Sequence, residues 1–172
     1  SDFRVKNLAM AIAATKLCGL KDSELCKSLK KVKDVNGRLE LSRRFTNNIK
    51  VFIDYAHTPD ALLKTLQSLE KKYGKNISLV FGCGGERDKK KRPLMAQIAN
   101  SFARKIYVTD DNPRNEDPKK IRDELVNKID KNKCFNIGNR AEAIKKSIIN
   151  SDPNGVVLIA GKGHEEQQIY KN

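Results

Sequence analysis

The chain has 172 residues, of which 33% are charged, 38% hydrophobic and 6% aromatic, with no tryptophan. That length suits one domain, or one domain with an appendage, and it buries a core without help from disulfides or structural metals. Thirty-five Lys and Arg against 21 Asp and Glu leave a formal charge of +14, which points to an anionic partner: nucleic acid, membrane surface, nucleotide or phosphorylated substrate. The longest apolar run, Leu8–Ala14, is far short of the ~20 residues of a membrane span. No cleavable secretory segment is visible, and the start at Ser1 rather than Met suggests a piece of a longer chain. Cys18, Cys26, Cys83 and Cys134 are scattered, with no CxxC and no paired His. They read as reduced thiols of a cytoplasmic protein, without a zinc site.

In chain order, Val5–Cys18 is small and apolar and stops at Gly19, the pattern of a buried helix. Asp22 or Ser23 is placed to cap a second helix whose Leu25, Leu29 and Val32 share a face. A turn around Asn36-Gly37 marks a domain boundary, giving segments 1–35 and 36–172. Beyond it, strands are predicted at 39–44, 49–53, 77–81, 105–109, 134–137 and 156–160. Helices are predicted at 59–69, 93–102, 118–129 and 140–150, with Met95, Ile98, Ala99 and Phe102 on the inner face of the second. This alternation implies an α/β, Rossmann-like fold, a mostly parallel sheet with helices on both faces.

Ligands of open α/β sheets bind beyond the carboxyl ends of the strands. Four loops occupy that rim here: Asp54–His57, Gly82–Arg87, Asp110–Arg114 and Gly161–Glu165. The Gly82-Cys83-Gly84-Gly85 turn offers backbone N–H groups to an anion. It is not a dinucleotide fingerprint, since Arg87 replaces the third glycine, nor a phosphate loop ending in GK[ST]. The cations at 87–92 oppose a helix dipole, a local cost that points to a ligand. Asp111 and Arg114 suit the two ends of a zwitterion, and Glu165 offers a second acceptor for an ammonium group. His164-Glu165 lacks the second His of a zinc-protease helix, and Asp54 with His57 lacks a nucleophile elbow. Asp54 fits better as a strand-end carboxylate near a nucleotide.

Taken as a set, these motifs resemble the C-terminal domain of the Mur ligases, the ATP-dependent amino-acid ligases of peptidoglycan synthesis. The resemblance rests on Gly37–Glu40, Asp54–Ala61, Gly82–Asp88 with Lys91–Met95, Asp111–Arg114 and Gly161–Glu165. Asp111-Asn112-Pro113-Arg114 is similar to the motif of the branch that adds meso-diaminopimelate as the third stem-peptide residue. Residues 1–35 resemble the closing helices of the family's central ATPase domain, with Arg4 where a second Asn is usual. The resemblance implies a cytoplasmic, monomeric ligase using ATP and Mg2+ through an acyl phosphate. Its substrates would be UDP-MurNAc-dipeptide and meso-diaminopimelate, and its remaining domains would lie outside this chain.

By motif match, Asn7, Arg38, Asp54 and His57 would face ATP. Arg87, Asp111, Asn112, Pro113, Arg114, Gly161 and Glu165 would hold diaminopimelate, with Arg114 deciding specificity. No metal ligand and no catalytic base is assigned, and the piece alone is expected to be inactive. Two alternatives stay open: a basic nucleic-acid-binding domain, or a lysine-adding or folylpolyglutamate ligase relative. The lysines are spread over several helices and no RNA-binding signature is present, which disfavours nucleic acid.

Overall fold

The computed structural model describes residues 2–33 and 35–171; the side chains of residues 2–4, Arg4 among them, lie outside that description. The chain divides into two compact units, Ser1–Val35 and Asn36–Asn172.

The first unit is a pair of helices, α1 (Asp2–Leu17) and α2 (Asp22–Leu29). A left-handed Gly19 ends α1, as the sequence suggests. The expected burial of α1 is not found: Val5, Met10 and Leu17 are 67%, 71% and 90% exposed. Two helices of this size are too few to enclose a core. The start of α2 also differs, because Glu24 accepts the Lys21 N–H at 3.3 Å and neither Asp22 nor Ser23 caps the helix. Val32 falls past the end of α2 and is exposed.

The second unit is built on a six-stranded sheet in the order β1-β2-β6-β3-β4-β5. The strands are β1 (Glu40–Arg44), β2 (Lys50–Asp54), β3 (Ile77–Phe81), β4 (Lys105–Val108), β5 (Cys134–Asn136) and β6 (Val156–Ala160). Edge strand β1 is antiparallel to β2, and every other pairing is parallel. The crossovers are α3 (Pro59–Tyr73), α4 (Lys91–Phe102), α5 (Pro118–Val126) and α6 (Arg140–Ile149). The expected α/β fold with a mostly parallel sheet is the fold observed.

Each crossover helix starts where the local chemistry allows, except α4. Thr58 accepts the Ala61 N–H ahead of Pro59, Asp117 accepts the Lys119 N–H ahead of Pro118, and Asn139 accepts the Glu142 N–H. Helix α4 has no side-chain cap and begins two residues before the expected Pro93. Its buried face is Arg92, Met95, Ala96 and Ala99, with Ile98 and Phe102 only partly buried.

Leu62, Leu66 and Leu69 of α3, Met95 and Ala99 of α4, and Ile121 and Leu125 of α5 fill one face of the sheet. Ala143, Ile144 and Ile148 of α6 cover the other with Val80, Tyr107 and Val157. The chain walks outward from β2 to β5 and then returns through α6. Right-handed crossovers place a returning helix on the opposite face. The returning strand β6 inserts between β2 and β3, so β2, β6, β3 and β4 are consecutive neighbours. Their ends are level, with Asp54 beside Ala160 and Phe81 beside Val108. The four loops singled out from the sequence therefore follow four adjacent strands.

Candidate functional site

The mount of the site is a buried arginine. Arg92 has no exposed surface. Its Nη1 donates to both Glu124 oxygens at 3.2 and 3.0 Å, and its Nη2 to both Glu116 oxygens at 3.1 Å and to the Gly84 carbonyl at 3.2 Å. Glu116 also accepts the Glu86 N–H at 2.6 Å and pairs with Lys89 at 3.2 Å. That backbone bond leads in holding its carboxyl at about 2; burial opposes it, while Arg92 and Lys89 add to it. Lys91 donates to the His57 carbonyl at 2.8 Å.

These contacts correct the sequence reading of the 87–92 cations as one ligand-serving cluster. Arg92, Lys89 and Lys91 tie loops to one another, so the misplaced charge at the α4 start is satisfied by glutamates and a carbonyl. Arg87 remains exposed, with its Nη1 3.4 Å from the Glu86 carbonyl.

The loop after β3 leans on the loop after β4. The Gly85 N–H donates to the Asn112 carbonyl at 2.9 Å. A Cβ at Gly85 would stand 1.9 Å from the Pro113 carbonyl oxygen, so only glycine permits this approach. Pro113 is buried beneath it. Arg114 takes φ 53°, rare for a side-chain-bearing residue. Its N–H donates to the Ile169 carbonyl at 3.0 Å. Its Nη1 donates to the carbonyls of Gly85 at 2.8 Å and Asn112 at 3.3 Å. Among the described residues its Nε and Nη2 donate to no protein group, and they are available to an anion.

The loop after β6 closes on the same place. Gly161, with φ 108°, brings its Cα edge against Asp111, whose Oδ2 lies 3.0 Å from the position of a Cβ there. Asn112, only 7% exposed, donates from Nδ2 to Glu165 Oε2 at 3.1 Å. Its Oδ1 accepts from Lys162 Nζ at 2.9 Å and from the Ile169 N–H at 2.9 Å. Lys162 also reaches Glu165 Oε2 at 3.0 Å. Burial alone would push the Glu165 carboxyl up, but the bonds from Lys162 and Asn112 prevail and hold it below the usual range.

Under these loops lies another buried cation, Arg140, donating to the carbonyls of Ala160 at 2.8 Å and Asp110 at 3.3 Å. Burial pulls its pKa down, against the opposing charges of Asp111 and Glu165.

The loop after β2 is built around Tyr55. The Arg38 guanidinium lies 4.4 Å over its ring, the His164 ring stacks at 5.4 Å, and the His57 ring meets it edge-on at 4.6 Å. His57 Nδ1 donates to the Tyr55 carbonyl at 2.8 Å, which fixes the ring's orientation. The Asp54 carboxylate is turned into its own chain. It accepts the Leu39 N–H at 2.6 Å, the Ala56 N–H at 2.8 Å and the Thr65 hydroxyl at 3.3 Å. Burial nonetheless keeps its pKa raised, and those bonds and Arg38 work the other way. Asn7 is exposed on α1, in the first unit.

Sequence reasoning missed Lys162, Arg140 and the segment 168–170. Gln168 Nε2 donates to the carbonyls of Asp110 and Asp111 at 3.1 and 3.0 Å, and the Tyr170 hydroxyl to Asp110 Oδ2 at 3.1 Å. Nothing in the spelling of a lysine among many lysines, or of an arginine after a capping asparagine, marks it as buried. Cys83 is buried as well, and burial pushes its thiol up to about 12, which removes it as a nucleophile. Among the described residues no group of three or more His, Cys, Asp or Glu is arranged to hold a metal ion. No helix among them is long and apolar enough to cross a membrane.

The rim thus carries charges of both signs: Arg87 and Arg114 on the loops after β3 and β4, and Asp111 and Glu165 on the loops after β4 and β6. That set suits a ligand carrying both carboxylate and ammonium groups. Residues 37–163 match the family described as Mur ligase, glutamate ligase domain. This chain belongs to the Mur ligase family.

Among relatives of the Mur ligase chain is the UDP-N-acetylmuramoyl-L-alanyl-D-glutamate–2,6-diaminopimelate ligase of Rickettsia montanensis. It is 47% identical over 97% of this chain and 34% of its own length. The ligase of the same name from Buchnera aphidicola is 43% identical over 99% of this chain and 34% of its own. A solved structure of a ligase so named superposes with a TM-score of 0.72 at 38% identity, over 98% of this chain and 34% of that one. The chain spans about a third of the length of the relatives it matches.

Proposed function

We propose that this chain supplies the amino-acid-binding part of a longer ligase that joins meso-diaminopimelate to UDP-MurNAc-L-Ala-D-Glu in peptidoglycan synthesis. Residues 36–172 would be its C-terminal domain and residues 1–35 the last helices of its central domain. The observation that carries the reading is the Asp111–Arg114 loop, clamped between Gly85 and Glu165 with two arginine nitrogens left for an anion. The names and identities of the relatives support the same substrate.

In this reading Arg114 and Arg87 take the carboxylate that distinguishes diaminopimelate from lysine, and Asp111 and Glu165 take the ammonium beside it. Asn112, Pro113 and Gly161 shape the floor. ATP, with Mg2+, supplies the phosphoryl group that activates the D-glutamate carboxylate. The residues around Tyr55 fit a nucleotide's edge: the Arg38 cation stands on the Tyr55 ring, and the His57 ring meets it edge-on. Asp54 acts by holding the backbone of Leu39 and Ala56 under Arg38, since its oxygens are already engaged. Asn7 would contribute from the central-domain side. The reaction would run in the cytoplasm, in a monomer.

The test is an amino-acid panel with the whole ligase that contains this chain. Turnover with diaminopimelate and little with lysine supports the reading; the reverse preference overturns it. Arg114→Ala should raise the KM for diaminopimelate by about 30-fold or more, as expected when one partner of a desolvated charge pair is removed, and leave that for ATP in place. Arg114→Lys should recover only part of the loss, since an ammonium does not reproduce the guanidinium fork.

A further inference from the structure

We propose that Lys162 is a positioning residue of the amino-acid subsite, the group that fixes the side-chain orientation of Asn112 and Glu165 presented to the ligand. The inference deepens the function proposed above and rests on it.

Three facts carry it. Lys162 is 8% exposed, so its ammonium is a buried charge that needs partners on the spot. Among the described residues it has two, one from each of two loops: Asn112 Oδ1 after β4 at 2.9 Å and Glu165 Oε2 after β6 at 3.0 Å. Asn112 Oδ1 also accepts the Ile169 N–H at 2.9 Å.

An asparagine amide is free to turn either end toward its surroundings, and its neighbours decide which. Here two donors, the Lys162 ammonium and the Ile169 N–H, converge on one end. That end must be the oxygen. The amide nitrogen is thereby turned to Glu165, where one of its hydrogens is used. Its second hydrogen has no protein acceptor among the described residues, so it is offered as a donor to a ligand acceptor such as a carboxylate oxygen.

Remove the ammonium and the constraint drops to one backbone N–H. The amide could then turn, presenting oxygen where a carboxylate must bind, and Glu165 would lose its only cationic side-chain partner among the described residues. Lys162 acts through Asn112 and Glu165.

The experiment uses the whole ligase with Lys162→Met, which keeps the stem and removes the charge, and Lys162→Gln, which keeps an N–H donor. Lys162→Met should raise the KM for diaminopimelate about 10- to 100-fold, the range for losing a charge-assisted hydrogen bond. The KM for ATP and kcat at saturating amino acid should stay within about threefold, and Lys162→Gln should recover part of the loss. A merely structural role would lower kcat and active-enzyme content without a selective change in KM. The pH profile gives a second readout: without Lys162 the diaminopimelate KM should climb at higher pH than in the native enzyme, as Glu165 protonates more readily.

An unchanged KM in Lys162→Met overturns the proposal, and so does tighter binding, which would make Lys162 a competitor of the ligand's ammonium. Failure of both variants to fold overturns it too, by assigning the residue to stability. If the native enzyme refuses diaminopimelate, the function proposed above fails instead, and the same variants are read with the amino acid the panel identifies.

Discussion

Arg87 and Arg92 lie five residues apart and have opposite surroundings. Arg92 is fully buried with its two terminal nitrogens committed to Glu116, Glu124 and the Gly84 carbonyl, whereas Arg87 is exposed with one long contact to its neighbour's carbonyl. The same contrast runs around the whole rim. Arg92, Arg140 and Lys162 form an inner layer of buried cations that hold loops in register. Arg38 and Arg87 form an outer layer that faces solvent. Charge of one sign thus does two jobs, and burial marks off the three cations that lie beneath the loops.

The contrast breaks most visibly at Arg92. Arg92→Ala leaves Glu116 and Glu124 without their shared partner and opens a cavity, and should cost about 3 kcal/mol or more. Urea denaturation of this chain measures it, and a loss below about 1 kcal/mol would show that the inner layer does not hold the loops. Arg87→Ala, by comparison, should change stability by less than about 0.5 kcal/mol, as surface substitutions usually do. Its effect should appear in the diaminopimelate KM of the whole ligase.

Next in size is the close approach of the β3 and β4 loops. Gly85→Ala drives a methyl group into the Pro113 carbonyl and should destabilise by about 1–3 kcal/mol, the usual range for overpacking. The same denaturation experiment reads it. A neutral result would mean the two loops separate easily, and the rim is then not preformed.

A smaller effect distinguishes the layers by pH. Glu116 has its carboxyl lowered from 4.5 to about 2 in the fold. A depressed carboxylate contributes stability above its unfolded pKa and loses it as pH falls through the folded one. The thermal midpoint should therefore fall from pH 4.5 toward 2 more steeply in the native chain than in Glu116→Gln. Parallel curves would refute the assignment of that acid sensitivity to the Arg92 mount. At the exposed pair Lys64–Asp60, 2.7 Å apart on α3, an Asp60→Asn change should shift stability by no more than about 0.5 kcal/mol.

Much of the fold is legible in the sequence because its signals are local. β6 lies where its apolar run predicts, and Pro59 and Pro118 open α3 and α5. The alternation of elements specifies a parallel sheet, since each parallel pairing needs a crossover. The four rim loops stand out in the sequence because glycine, proline and acidic residues interrupt periodic segments there. Helix α1 marks the limit of such signals. Its composition predicts a helix and a helix forms, but burial needs another surface, and Met10 and Leu17 stand exposed.

Element order, the rim and the residue types on it therefore follow from the sequence alone, because propensity, capping and periodicity act over a few positions. Which cations face solvent and which lie beneath the loops is settled by the tertiary fold. Lys162 and Asn112 are 50 residues apart, and Arg92 and Glu124 are 32 apart. The first pair meets only once β6 has inserted beside β3, and the second once α4 and α5 pack side by side over β3 and β4. A lysine or arginine carries the same charge wherever it is written, and its role follows from the dielectric and the oxygen atoms that the finished fold places around it.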